Sequence, residues 1–156
     1  MIVDSRLELC NATAVNTGGA ATYLIGAQID LGATTTYLGD GEPLYLHIIS
    51  QTDIITAGSA GTIQFILASD DTASVSTTTS TIHVTSEAFV NDDTAAHDAR
   101  LMAGGVLFSG PLPYGAYERF LGILQVTGTT AASAGAIDAF INKDPIPRNR
   151  AYPDAL

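Results

Sequence analysis

Three histidines (His47, His83 and His97), one cysteine (Cys10) and the aspartates Asp70-Asp71 and Asp92-Asp93, with Asp98 nearby, are the residues here whose types could do chemistry. The histidines fall in separate predicted elements, and no two have a ligand spacing such as i, i+4, so they define no metal site. A lone cysteine allows neither an intrachain disulfide nor a cysteine-cluster metal site. The aspartates could serve a hard cation such as calcium, but neither stretch has the spacing of an EF-hand loop, and turn chemistry and helix capping account for them. Hydroxyls are plentiful, yet no nucleophile-elbow motif and no Cys/His signature accompany them. Paired carboxylates could assemble in space, but the chain has no Trp and only 7% aromatic residues for a sugar platform. The expectation is a protein with no catalytic residues, no metal and no cofactor.

The most informative charged pair is Glu118-Arg119, at the start of ERFLGILQV. Neighbours in a strand point to opposite faces, so Glu118 and Arg119 are not expected to pair with each other, and each is expected to form a structural salt bridge with another partner. Arg119 is expected to take a bidentate carboxylate, with Asp30, Asp40, Glu42 and Asp138 as candidates, in a structural salt bridge at the strand entrance. If that carboxylate is buried, removing Arg119 would cost about 1–3 kcal/mol. The same alternation puts Phe120, Leu124 and Val126 on one face, and Arg119, Leu121, Ile123 and Gln125 on the other. Both faces are apolar at their centres, so both need cover. The reading assigns Phe120, Leu124 and Val126 to the core, and Leu121 and Ile123 to a second layer or partner subunit.

These residues require strands to hold them, and period-2 alternation dominates the chain. TYLIGAQIDL sets Tyr23, Ile25, Ile29 and Leu31 against Thr22, Gln28 and Asp30. PLYLHIIS places Leu44, Leu46 and Ile48 on one face, and TIQFILAS places Ile63, Phe65 and Leu67 inward. STIHVTS points Ile82 and Val84 inward and His83 outward, and GVLFSG contributes Val106 and Phe108. ERFLGILQV and AGAIDAFIN read as a hairpin across TGTTAASAG. With a first strand near Leu7 to Val15, this gives about eight short strands and Gly-rich turns, the pattern of an all-β sandwich or jelly roll. DDTAAHDARLMAGG has Asp caps and a Gly-Gly stop, which predicts one short helix over Thr94 to Met102. The domain is expected over 1–144, with an outward-reaching N-terminal arm. NKDPIPRNRAYPDAL carries three prolines and predicts an extended C-terminal arm over 145–156.

Composition narrows the function. A length of 156 residues suits one domain with a real core. Only 14% of residues are charged, with Thr, Ser, Ala and Gly in their place, which suits a surface that meets other protein and equally a Thr-rich β-sandwich. The net charge is −10, which argues against a nucleic-acid binder. No apolar run approaches the ~20 residues of a membrane helix. The N-terminal sequence has no signal-peptide core, so synthesis in a cytoplasm is expected. Lys143, Arg148 and Arg150 place half of the six basic residues at the end of the chain. Arg148, Arg150 and the amphipathic ring of Tyr152 are therefore candidate partner-binding residues.

Several stretches together, MIVDSRLELCNATAV, IDLG, GDGEPLYLHI, TIQFILASDD and PYGAYERFLGILQV, occur in one order across residues 1–126. In this the chain resembles the capsid cement, or decoration, proteins of short-tailed bacteriophages of the Bordetella-phage type. The resemblance is least over 72–105. It implies a jelly-roll protein without catalytic residues that oligomerises; the two-sided apolar strand and the 14% charge favour a dimer over a trimer. It also implies attachment to the outer surface of the icosahedral head, where such proteins bridge subunits of the major capsid protein. The alternative is a glycan- or receptor-binding β-sandwich head with a polar-aromatic site around Tyr114 and Tyr117.

Overall fold

The computed structural model describes residues 5–32, 35–39, 41–56, 58, 60–91 and 97–145. Eleven strands follow in order: β1 (Glu8–Ala14), β2 (Ala21–Asp30), β3 (Thr36–Leu38), β4 (Tyr45–Thr56), β5 (Thr62–Asp70), β6 (Thr81–Thr85), β7 (Phe89–Val90), β8 (Val106–Pro111), β9 (Gly115–Tyr117), β10 (Phe120–Gly128) and β11 (Ala132–Asn142). All eight expected strands form, and β3, β7 and β9 are short additions. The first sheet has the order β1-β11-β4-β8, the second β2-β10-β5-β6 with β7 beside β5, and β3 and β9 form a separate ribbon. All pairings are antiparallel. Counting the eight longer strands alone, the orders are 1-8-3-6 and 2-7-4-5, the interleaving of a jelly roll.

The expected hairpin between ERFLGILQV and AGAIDAFIN does not form. β10 pairs with β2 and β5, whereas β11 pairs with β1 and β4. The short connection at 129–131 carries the chain from one sheet to the other. Each of the two strands instead has a hydrogen-bonded neighbour on both sides.

Leu9, Ile25, Leu46, Ile48, Ile54, Ile63, Phe65, Leu67, Leu121, Ile123, Ile137 and Ile141 fill the space between the sheets. The inward rows read for β2, β4 and β5 hold. Two others shift. In β6, Ile82 is 57% exposed while Val84 is buried, because a register shift against β5 separates Leu67↔Val84 from Ala68↔Ile82. In β8, Leu107 is buried and Val106 is exposed, and a register shift against β4 lies beside Val106.

The predicted helix over 94–102 falls partly outside the described residues. Its described part is a 3-10 turn, Ala99–Leu101, capped by Asp98, whose carboxylate accepts the Arg100 N–H. A second 3-10 turn spans Ser5–Leu7. Among the described residues no helix is long and apolar enough to cross a membrane.

Candidate partner-binding surface

β10 lies in the middle of the second sheet, and its two faces answer the question raised by its sequence. The assignment from alternation is reversed. Leu121 and Ile123 have no exposed surface and belong to the main core, so they are not partner-binding residues. Phe120, Leu124 and Val126 point away from it, into a smaller cluster with Leu24, Ile66, Ala68 and Val75. Strand parity fixes which residues share a face but not which face is inside, and both rows of β10 are apolar. The inward row ends in Gln125, fully buried but satisfied. Its carbonyl accepts the Asn16 N–H at 2.7 Å, and its amide donates to Asn16 O at 2.9 Å and to Thr127 Oγ1 at 2.9 Å.

The outward face is built by register. Leu124 lies between Leu24 and Ile66, Gly122 opposite Ala68, and Phe120 between Asp30 and Asp70. The loop 71–80 covers part of it. Val75 packs beside Gly122, and its N–H donates to Gln28 Oε1 at 2.8 Å. Asp70 holds that loop by accepting the N–H groups of Thr72 and Ser76, each at 3.0 Å, and these bonds lower its pKa. What the loop leaves is a half-buried strip of Leu24, Phe120 and Val126, with exposed Ile82 at its β6 side.

An acidic corner borders this strip. Arg119 meets Asp30 through two parallel hydrogen bonds of 2.8 Å and lies 5.0 Å above the Phe120 ring. Asp30 is thus the partner among the four candidates, and the guanidinium holds its pKa down at about 2. The pair is half-exposed, 44% and 46%, so removing Arg119 strands no buried carboxylate and the expected loss of stability is small. Glu118 is not in a salt bridge among the described residues: its carboxylate accepts the Thr81 hydroxyl at 3.1 Å. Of the nearby carboxylates, Asp70 lies opposite Phe120, Asp71 follows it in the chain, and Glu118 precedes Phe120 by two residues.

Beside the corner is a contact that the sequence did not reveal. Ser69 Oγ lies 2.7 Å from His83 Nε2, and His83 stacks on Tyr117 with ring centres 3.8 Å apart. Ser69 also accepts the Glu118 N–H at 3.1 Å. The distance resembles a nucleophile–base pair, but Ser69 is fully buried and offers a substrate no approach. It acts as a clamp joining β5, β6 and the start of β10. No signal in the sequence links residues fourteen apart on neighbouring strands.

Burial lowers the His83 pKa from 6.5. The neutral ring is favoured in the fold, so its contribution is complete above pH 6.5 and is lost as pH falls below that value. Asp30, Asp70 and Asp98, all lowered from 3.8, contribute fully above that value and lose their contribution as pH falls below it. Thermal unfolding should therefore show two successive losses of stability on acidification, the first missing in His83→Gln. A first loss unchanged in that variant would rule out His83 as its source.

The remaining sites resolve simply. Tyr117 is buried, its O–H bound to Pro113 O at 2.7 Å, so it cannot form the polar-aromatic site expected with Tyr114. Tyr114 instead stacks on Tyr37 at 6.3 Å, both mostly exposed. His47 is buried: Nδ1 lies 3.0 Å from Ser109 Oγ, and Nε2 lies 3.0 Å from both Asn142 Oδ1 and Asp144 O. It thereby fixes where the chain leaves β11. Cys10 is buried and its thiol is pushed up to about 12. No group of three metal-ligating side chains occurs among the described residues. Arg148, Arg150 and Tyr152 lie outside them.

A family model described as Bbp16 matches residues 9–141, from the second residue of β1 to the last but one of β11. No curated protein matches the chain.

Proposed function

The chain belongs to the Bbp16 family, a name that points to a Bordetella phage protein, and on that footing we propose that it is a structural protein of the virion. It is a capsid cement protein on the outer surface of the icosahedral head, where it bridges subunits of the major capsid protein. It works as a homo-oligomer, a dimer in preference to a trimer, and is made in the host cytoplasm. No catalytic step, metal, cofactor, nucleic acid or membrane enters this reading. The observation that carries it is the outward face of β10: a closed core on one side, and on the other an apolar strip only partly covered by its own loop.

Such a protein stabilises by multivalency. Once one site is attached, the second contact is intramolecular, and avidity rises by roughly 10²–10⁴. The test is co-sedimentation of the purified protein with mature, expanded heads that lack it. Saturable binding is expected. Removal of residues from Pro147 onward should leave the fold intact, because every described strand ends by Asn142. The same truncation should weaken attachment or association and reduce its salt dependence, as surface ion pairs are screened. A truncated chain that decorates heads as tightly, with the same oligomeric state, removes the arm from this account. Absence of binding to heads overturns the function itself.

The second reading, a glycan- or receptor-binding head, is favoured by one observation, the exposed Tyr37–Tyr114 pair on the β3–β9 ribbon. A glycan array with the intact chain decides it. Binding abolished by Tyr114→Ala would favour that reading.

A further inference from the structure

The acidic corner around Phe120 has a chemical complement within the same sequence. Segment 146–156, IPRNRAYPDAL, holds two of the six basic residues and only one of the sixteen acidic ones. The rest of the chain is correspondingly more acidic, so two bodies brought face to face repel each other. We propose that segment 146–156 of one copy docks on the outward face of the second sheet of another copy. Arg148 and Arg150 meet the carboxylates of Asp70, Asp71 and Glu118, and Tyr152 covers the Phe120 strip. The inference rests on the homo-oligomer proposed above and names the contact that builds it.

Three observations carry it. The first is charge. Asp30 is already taken by Arg119, whereas Asp70, which lies across from the half-buried Phe120, its chain neighbour Asp71, and Glu118, two residues before Phe120, make no ion pair among the described residues. The second is the apolar strip itself, which loop 71–80 only partly covers. The third is reach. The chain leaves the first sheet at Asn142, held there by His47 on Asp144 O and by the Lys143–Glu42 ion pair. The eleven residues 146–156 that follow Pro145 can reach at most about 36–40 Å, enough to meet a neighbouring copy.

A charge-swap experiment on the full chain decides the matter by sedimentation over 1–100 µM, roughly the range in which surface ion pairs of this number tune association. Arg148→Glu/Arg150→Glu alone, and Asp71→Arg/Glu118→Arg alone, should each weaken self-association by about ten-fold or more. Mixing the two should restore it, because each tail then faces a corner of opposite charge. Asp70 is left unchanged, since it holds the loop, and unaltered melting temperatures verify the fold. If both variants associate like the wild type, the tail contact is wrong while the homo-oligomer stands. If both are weakened and the mixture stays dissociated, tail and corner do not meet. If the wild type is a monomer throughout, the contact and the oligomer both fail.

Discussion

Leu121→Ala is expected to lower the unfolding free energy by about 2–5 kcal/mol, the range for truncating a fully buried leucine. Leu121 has no exposed surface and faces the interior with Ile123, Phe65 and Leu67. The loss combines the transfer of three carbons with a cavity that the two pinned sheets cannot collapse around. Val126→Ala, on the opposite face of the same strand and half-exposed, should cost well under that. Urea unfolding of the two variants beside the wild type is the measurement. If Leu121→Ala leaves the midpoint unchanged and instead weakens association, the faces of β10 have been assigned the wrong way round.

Gly26→Ala should be nearly as damaging, at about 2–5 kcal/mol from left-handed backbone strain together with overpacking. Gly26 has φ +73°, and a Cβ there would run into the Leu9 carbonyl oxygen and into Cys10 Sγ. It lies where the β2–β10 register shifts, between Ile25↔Ile123 and Ile29↔Leu121. The extra residues on β2 bring its backbone against β1, and only glycine leaves room for both the turn and the close approach. Gly39→Ala is the control: φ is +79°, but the nearest atom is 3.9 Å away, so strain acts without a clash. Equal losses at the two positions would show that the contact with β1 contributes nothing.

The sequence located strands better than it oriented them. Alternation in TIQFILAS and PLYLHIIS has one apolar row clearly stronger than the other, and the inward rows came out as read. In β10 both rows are apolar, so parity had two solutions and only packing could choose between them. In β6 a single register shift reversed the outcome for Ile82. The connection after β10 looked like a hairpin because it is short, and brevity does not distinguish pairing from crossing to the opposite sheet. That Arg119 takes a carboxylate was legible, because a guanidinium at a strand entrance demands one, but among four candidates only the fold selects Asp30. The Ser69–His83–Tyr117 clamp was not, because nothing local joins those positions.

The pairing of β1 with β11 has a consequence for how the protein is made. Glu8 lies beside Phe140, so the first strand to leave the ribosome waits for the last. At roughly 5–20 residues per second the intervening chain takes roughly 6–25 s to synthesise. Throughout that time β1, with Leu9 and Cys10, has no first-sheet neighbour, and β2 must wait nearly as long for β10. The two sheets can therefore be completed only after β11 has been made, and folding is governed by long-range pairing, on a time scale of roughly milliseconds to seconds. Nascent chains with unpaired strand edges are exposed to aggregation, so the yield of native protein should depend on expression rate and chaperone supply more than on the stability of the finished fold.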